Sequence, residues 1–379
     1  MKVATFLYNQ DGFIKETIDD GFRFEEAQIL LGFGAKQLLN EDLYIVLKNR
    51  FPNTQIALCS TAGEIYHSEV MDDVVSITAI TFHSSQLQTG EVAIKDFENS
   101  LEAGKALLEK LPKDGLKLAF ILSDGSKVNG SELVRGMNMV KSNDALITGG
   151  LAGDGTKFEE TLVGLNTIPE SGKIVAIGFY GDKLQFSHGS LGGWESFGLE
   201  REVTKANANV LYEIDQKNAL DLYKKYLGKY ADELPGSALL FPLSMSVSNN
   251  EQSIVRTILS IDENDQSMTF AGDIPVGSKV RFMKANFDRL IDAASDAAVD
   301  CTAMNNTHPQ LALLVSCVGR KIILANRIDE EVEAVADIFG SNTTISGFYS
   351  YGEISPLKST TTCELHNQTM TITGIQEIE

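Results

Sequence analysis

Three times along the chain, β-prone and helical runs alternate and lead into a short tract that closes on a glycine and an acid. The first instance joins a strand at 3–8, an apolar period near 3.6 over 25–50 and a strand at 55–59 to Ser60-Thr61-Ala62-Gly63-Glu64-Ile65. The second runs through a strand at 116–122, the turn Ser123-Asp124-Gly125, a helix at 131–140 and a strand at 145–148. It ends in Gly149-Gly150-Leu151-Ala152-Gly153-Asp154-Gly155. The third has strands at 311–317 and 321–325, a helix at 329–339 and a strand at 343–347, before Phe348-Tyr349-Ser350-Tyr351-Gly352-Glu353-Ile354. Overlaid, these place Gly63-Glu64, Gly153-Asp154 and Gly352-Glu353 at equivalent points. A chain so built folds as repeated mixed units of class α/β (α+β), because alternating strands and helices bury their apolar faces in layers. Glycine at such a point permits positive φ or close backbone approach, and the acid caps a turn or faces a cleft. Three unrelated ordinary turns are the competing reading.

The period over 25–50 predicts one or two helices after the first strand, and further strands are expected at 74–82, 87–94, 161–167, 173–180 and 184–188. The stretch 209–232 is helical by pattern, and Leu234-Pro235-Gly236 reads as a connection. Strands at 253–262 and 266–271, a turn at 273–277, a helix at 286–301 and a hairpin through 363–375 follow. We expect two mixed-sheet domains, 1–228 and 236–379. With 379 residues, 43% of them hydrophobic, each can bury its own core.

The longest apolar runs fall far short of the roughly 20 residues that a membrane span needs, and the N-terminus lacks a secretory pattern. A net charge of −20 repels phosphates, which argues against nucleic acid and anionic lipid as partners. The cysteines Cys59, Cys301, Cys317 and Cys363 show neither a CxxC pair nor metal-site spacing, and three of them sit among apolar or β-branched neighbours. This fits free thiols in a reducing, cytoplasmic compartment.

Catalytic motifs are missing: no GxSxG, HExxH, GxxxxGK[ST] or GxGxxG occurs. Cys59 and Ser60 offer nucleophiles at a strand end without a base nearby in sequence, so a hydrolase is the weakest reading. Gly149 to Gly155 reads as a tight link between strands before it reads as a phosphate cradle. Among the five histidines, His67, His83 and His308 read as solvated surface rings. His188 and His366 remain as either hydrogen-bonded structural residues or ligands to a metal. Arg320 ends an apolar strand, where it serves either as a clamp for a carboxylate ligand or as an intramolecular partner, Glu353 being the nearby acid. Phe348, Tyr349 and Tyr351 line a pocket or form core and rim.

Several tracts resemble the FIST family. Cys59-Ser60-Thr61-Ala62-Gly63-Glu64, Ile147-Thr148-Gly149-Gly150, and Gly193-Trp194 through Gly198 with Val203-Thr204-Lys205-Ala206 look like its N-terminal domain. Phe241-Pro242-Leu243, Val255-Arg256-Thr257-Ile258, Ser316-Cys317-Val318-Gly319-Arg320, the tract from Gly347 to Ile354 and His366-Asn367-Gln368-Thr369-Met370-Thr371 look like its C-terminal domain. The resemblance implies a free-standing bacterial sensor, and no enzyme, that binds a small molecule such as an amino acid and acts on a partner signalling protein. It also covers the NosP subgroup, which binds haem, senses nitric oxide and regulates a histidine kinase. On that reading His188 or His366 is the axial ligand. The expected ligand-binding set is Ser60, Thr61, Gly63, Glu64, Gly149, Gly150, Trp194, Arg320, Tyr349, Tyr351, Glu353 and Asn367, with the pocket between the two halves. A homodimer is compatible with all of this.

Overall fold

The structure, a computed structural model, describes residues 1–246, 253–356 and 361–378. It is α/β, and three of its sheets share one plan among the described residues. In spatial order, the first unit has strands Gln55–Ser60, Ile29–Gly34, Val75–Thr81 and Lys2–Asn9. The second has Leu146–Leu151, Leu116–Ser123, Lys173–Tyr180 and Gln86–Ala93. The third has Thr344–Ser350, Leu311–Cys317, Met370–Glu377 and Leu184–Leu191. In each, the first two strands are parallel and the other pairings antiparallel. The parallel strands need a crossover, which helices supply: Glu41–Arg50, Gly130–Val140, and Val318–Leu324 with Ile328–Phe339.

The Gly-acid tracts lie where each unit reaches into a neighbour. Past Gly63, the hairpin Glu64–Tyr66 and Glu69–Met71 joins the third sheet beside Thr344–Ser350. Past Gly153, Val163–Leu165 joins the first sheet beside Gln55–Ser60. From Gly352, Gly352–Pro356 and Cys363–His366 join the second sheet beside Leu146–Leu151. The exchange is cyclic, so every edge beside the parallel pair is covered by a neighbouring unit. The three inner faces meet in one core that includes Phe33, Cys59, Phe120, Leu122, Val315 and Phe348, with Phe33 and Phe348 ring centroids 4.8 Å apart. Helices cover the outer faces, each over its own apolar cluster.

The third unit is interrupted. Between Leu184–Leu191 and helix Phe287–Asn305 lies a module, 195–284, with its own core around Tyr223, Phe270 and Phe282 and a sheet built on the long strand Glu195–Asn207. The expected boundary at 228–236 falls inside this module, after its helix Ala219–Leu227. Strands from both sides of it share the second and third sheets.

Several local expectations change. Residues 29–34 form a strand, not the start of a helix. All six are buried between the helix layer and the central core, and a strand covered on both faces loses its alternation. The helix begins only at Glu41, where the Asn40 side chain accepts from Leu43 N–H. The expected strand at 321–325 is instead the helix Val318–Leu324, which buries Val318, Ile323 and Leu324 and leaves Ile322 exposed. Within 209–232 the helical pattern covers Ala219–Leu227 and the 3-10 helix Gly228–Glu233 that follows it; Val210–Ile214 is a strand paired to Glu195–Asn207. Strands Gly12–Ile18 and Lys279–Lys284 and helix Ser100–Glu109 were not anticipated. Among the described residues no helix is long and apolar enough to cross a membrane.

Candidate functional site

Parallel strands present their carboxyl ends, followed by helix N-termini, as natural ligand crevices. Each unit has one such end, and the three have diverged.

In the third unit the crevice is filled by the protein itself. Arg320 is fully buried and its partner is Glu331, at 3.0 Å, not Glu353. Its remaining donors go to the carbonyls of Gly192 at 2.6 Å, Leu290 at 2.7 Å and Gln368 at 3.3 Å. Ser316 Oγ donates to Glu331 at 2.7 Å, and the buried Tyr349 hydroxyl lies 3.5 Å from the same oxygen. A guanidinium so engaged has no fork left for a ligand. Glu353 accepts from Ser350 Oγ at 2.8 Å and from Thr369 N–H and Oγ1 at 3.1 and 2.9 Å, while burial pushes its carboxyl up to about 7. Trp194 Nε1 donates to Gln368 O at 2.9 Å. The side-chain amides of Asn367 and Gln368 are buried and find no hydrogen-bond partner among the described residues.

In the second unit the crevice is open and roofed. Loop 125–130 and the start of helix Gly130–Val140 form its floor, and Asn209, Leu259, Phe270 and Gly272 of the inserted module face them across a cleft of about 320 Å³. The Asn129 side chain caps the helix at Glu132 N–H and also donates to Asp273 of the module at 3.1 Å. Asp273 N–H returns a bond to Ser131 Oγ, and buried Arg256 of the module donates to Leu365 O at 2.8 Å. Tyr351 stacks on Phe158 along one side, ring centroids 4.5 Å apart, and its hydroxyl is bonded to Asp154. The cleft thus has an aromatic and aliphatic rim of Phe158, Tyr351 and Leu259. Its polar floor holds the exposed Lys127 and Gly130 at the start of a helix, whose dipole favours negative charge, the Glu132 N–H being taken by the Asn129 cap.

In the first unit a smaller pocket, about 220 Å³, is lined by Thr61, Gly63, Glu64, Asp72, Asp73 and Asp154 with Lys36 and Lys157.

The expected site residues therefore separate. Thr61, Gly63 and Glu64 share the smaller pocket, and Tyr351 belongs to the cleft. Arg320, Tyr349, Glu353, Asn367 and Trp194 cluster in the filled crevice. Ser60 is buried and its hydroxyl accepts from Leu162 N–H. Gly149, at φ +135°, and Gly150 lie within a central strand; a Cβ on Gly149 would overlap Ile121 O, and one on Gly150 would meet Val315 at 2.6 Å. Those two glycines serve sheet packing. The Cys59 thiol is pushed up by burial and by the charge of Asp124, the reverse of what a nucleophile needs. His366 is buried, with Nε2 3.2 Å from Ser355 O, and burial lowers it to about 4. His188 is half-buried and also lowered by burial, opposite Thr373 in the sheet. Neither the cleft nor the smaller pocket is lined by a histidine. His67, expected to be solvated, is half-buried and 3.1 Å from Thr5 Oγ1.

Lys127, Asn129, Phe158, Asn209 and Gly272 escaped sequence reasoning. Asn129 ahead of Glu132 was the one readable signal, a helix cap; the others meet only through the fold.

The chain matches the FIST N domain over residues 28–217 and the FIST C domain over 219–356, and so belongs to the FIST family. FIST domains are associated with sensory signal transduction and the binding of small ligands. The chain is also similar to the uncharacterised protein MJ1623 of Methanocaldococcus jannaschii, 23% identical over 325 residues, which are 77% of this chain and 60% of that protein.

Proposed function

We propose that the protein is a sensor of a small organic acid, amino acids included, bound in the cleft of the second unit. The carrying observation is that the two walls of this cleft belong to separately packed bodies, the three-unit core and the module 195–284. A ligand spanning them shifts the population of module positions. Lys127 and the helix N-terminus meet the carboxylate, while Phe158, Tyr351 and Leu259 cover the apolar part. On this reading the signal passes to a partner protein such as a histidine kinase, and the protein works in the cytoplasm.

Haem does not fit this site, because no imidazole faces it. At His366 a haem would first have to displace the Ser355 carbonyl contact within a closed sheet. Haemin titration separates the two readings: a Soret band lost in His188→Ala or His366→Ala supports haem, and its absence removes it. For the acid sensor, thermal shift against a panel of amino acids and small carboxylates is expected to give a concentration-dependent rise in Tm. Lys127→Ala and Phe158→Ala should each weaken the responding ligand by about tenfold, or about 1.4 kcal/mol. No response from any carboxylate, or one untouched by both variants, refutes the proposal.

A further inference from the structure

The acid of the second Gly-acid tract, Asp154, does not itself line the second unit's cleft, yet it holds both aromatic residues of the rim. Phe158 sits at φ +56°, a left-handed conformation that is costly for a bulky side chain. It is 48% exposed, so burial of its ring does not keep the backbone there. Asp154 does. Its Oδ1 accepts from Phe158 N–H at 2.9 Å, and its Oδ2 from Glu159 and Glu160 N–H at 3.0 and 2.9 Å. The Tyr351 hydroxyl is bonded to the same Oδ1 and lies 3.2 Å from Gly155 O. It also accepts from Asp154 N–H at 3.1 Å and from Phe158 N–H at 3.2 Å. Burial alone would raise the Asp154 carboxyl, but the Tyr351 hydroxyl and the three N–H groups outweigh it and hold the carboxyl below its ordinary range. It therefore stays charged at neutral pH and keeps its grip on the loop.

One carboxylate thus fixes two rings, with centroids 4.5 Å apart and planes 19° apart. A half-exposed ring on a strained backbone adds little to the protein's own packing, and such strain collects at ligand clamps. Both rings line the cleft, and Lys127 is the one charged residue among the described residues that line it. The cleft, of about 320 Å³, has room for a single ring with a short carboxylate arm.

We propose that the cleft selects an aromatic carboxylate, whose ring packs on Phe158 and Tyr351 while its carboxylate meets Lys127, and that Asp154 is the positioning residue that sets this selectivity through the two rings. The proposal deepens, and rests on, the reading of the cleft as an acid sensor. Its physical basis is the ring quadrupole, which favours contact with another flat ring beyond the area buried.

Titration of the full chain with phenylacetate and with cyclohexylacetate, followed by 1H NMR of the ligand, tests it. The two acids share one carboxylate arm and differ in a flat or a puckered ring. The wild type should bind phenylacetate about fivefold more tightly, with the phenyl protons moved upfield by the two rings. Phe158→Leu and Asp154→Asn should each cut the preference to within about twofold and leave cyclohexylacetate almost unaffected. Tyr351→Phe, which keeps the ring but unhooks it from Asp154, should lower the preference too, whereas Lys127→Ala should weaken both acids alike. General damage to the fold would also weaken both alike, so the ratio isolates positioning. Phe158→Leu alters an exposed ring, Tyr351→Phe leaves Asp154 in place, and the upfield shift needs no variant, so the test does not hang on Asp154→Asn folding. Equal affinity of the wild type for the two acids, or an unchanged preference in folded Asp154→Asn, overturns the proposal and leaves the acid sensor standing. Absence of saturable phenylacetate binding overturns it as well, and the wider carboxylate panel then decides whether the acid sensor survives.

Discussion

At the scale of single residues, buried titratable groups with opposite signs shape the pH dependence of stability. Burial raises Glu64 from 4.5 to about 8 and Glu353 from 4.5 to about 7. Between the ordinary and the folded values the folded chain holds protons that the unfolded chain has released, so these groups lose stability as pH rises. His366 works the other way, since burial lowers it from 6.5 to about 4. In that window the unfolded chain binds the extra proton, and stability rises with pH. Denaturant unfolding between about pH 4 and pH 9 should therefore show Glu64→Gln reducing the loss of stability on raising the pH by on the order of 5 kcal/mol, and His366→Gln, which removes the opposing rise, increasing that loss by on the order of 3 kcal/mol. The Arg320–Glu331 pair gives a third test. Arg320→Met leaves Glu331 charged and buried and should cost about 3–5 kcal/mol, with part recovered in Arg320→Met/Glu331→Gln. In sequence, Arg320 was readable as important but not its partner. Glu353 stood out because it closes a Gly-acid tract, whereas Glu331, nearer in sequence, meets Arg320 because helix Ile328–Phe339 folds back over the strand end.

At the scale of elements, two glycines inside strands, apart from those of the Gly-acid pairs, are packing devices. Gly149 of Leu146–Leu151 and Gly347 of Thr344–Ser350 each leave no room for a Cβ beside the neighbouring parallel strand, at Ile121 O and Leu314 O. Gly149→Ala meets both that overlap and a positive φ. It should cost more than about 3 kcal/mol, read as a lowered denaturation midpoint with an unchanged slope. Element order was largely legible, because capped amphipathic helices such as Gly130–Val140 and β-branched runs such as Lys173–Tyr180 carry their own signals. Where the signal failed, as at Ile29–Gly34, burial on both faces had removed the alternation that marks a strand.

Across the whole molecule, the cyclic exchange of strands should make the three units unfold together. Fragments 1–228 and 236–379, expressed separately, are expected to show no cooperative transition of their own and to regain one when mixed. Each lacks strands of sheets that the other completes. A sharp independent melt of either fragment would show that the exchange is dispensable. The sequence alone determined the threefold recurrence, the points Gly63-Glu64, Gly153-Asp154 and Gly352-Glu353 at which it turns, and the family, because these depend on local periodicity and short contiguous tracts. Only the tertiary structure decided that each tract crosses into a neighbouring sheet, that one strand-end crevice is filled by Arg320 and Gln368, and that another is roofed by an inserted module. Those outcomes depend on contacts between residues more than a hundred positions apart, such as Asn129 with Asp273 or Tyr351 with Asp154, and no local pattern encodes them.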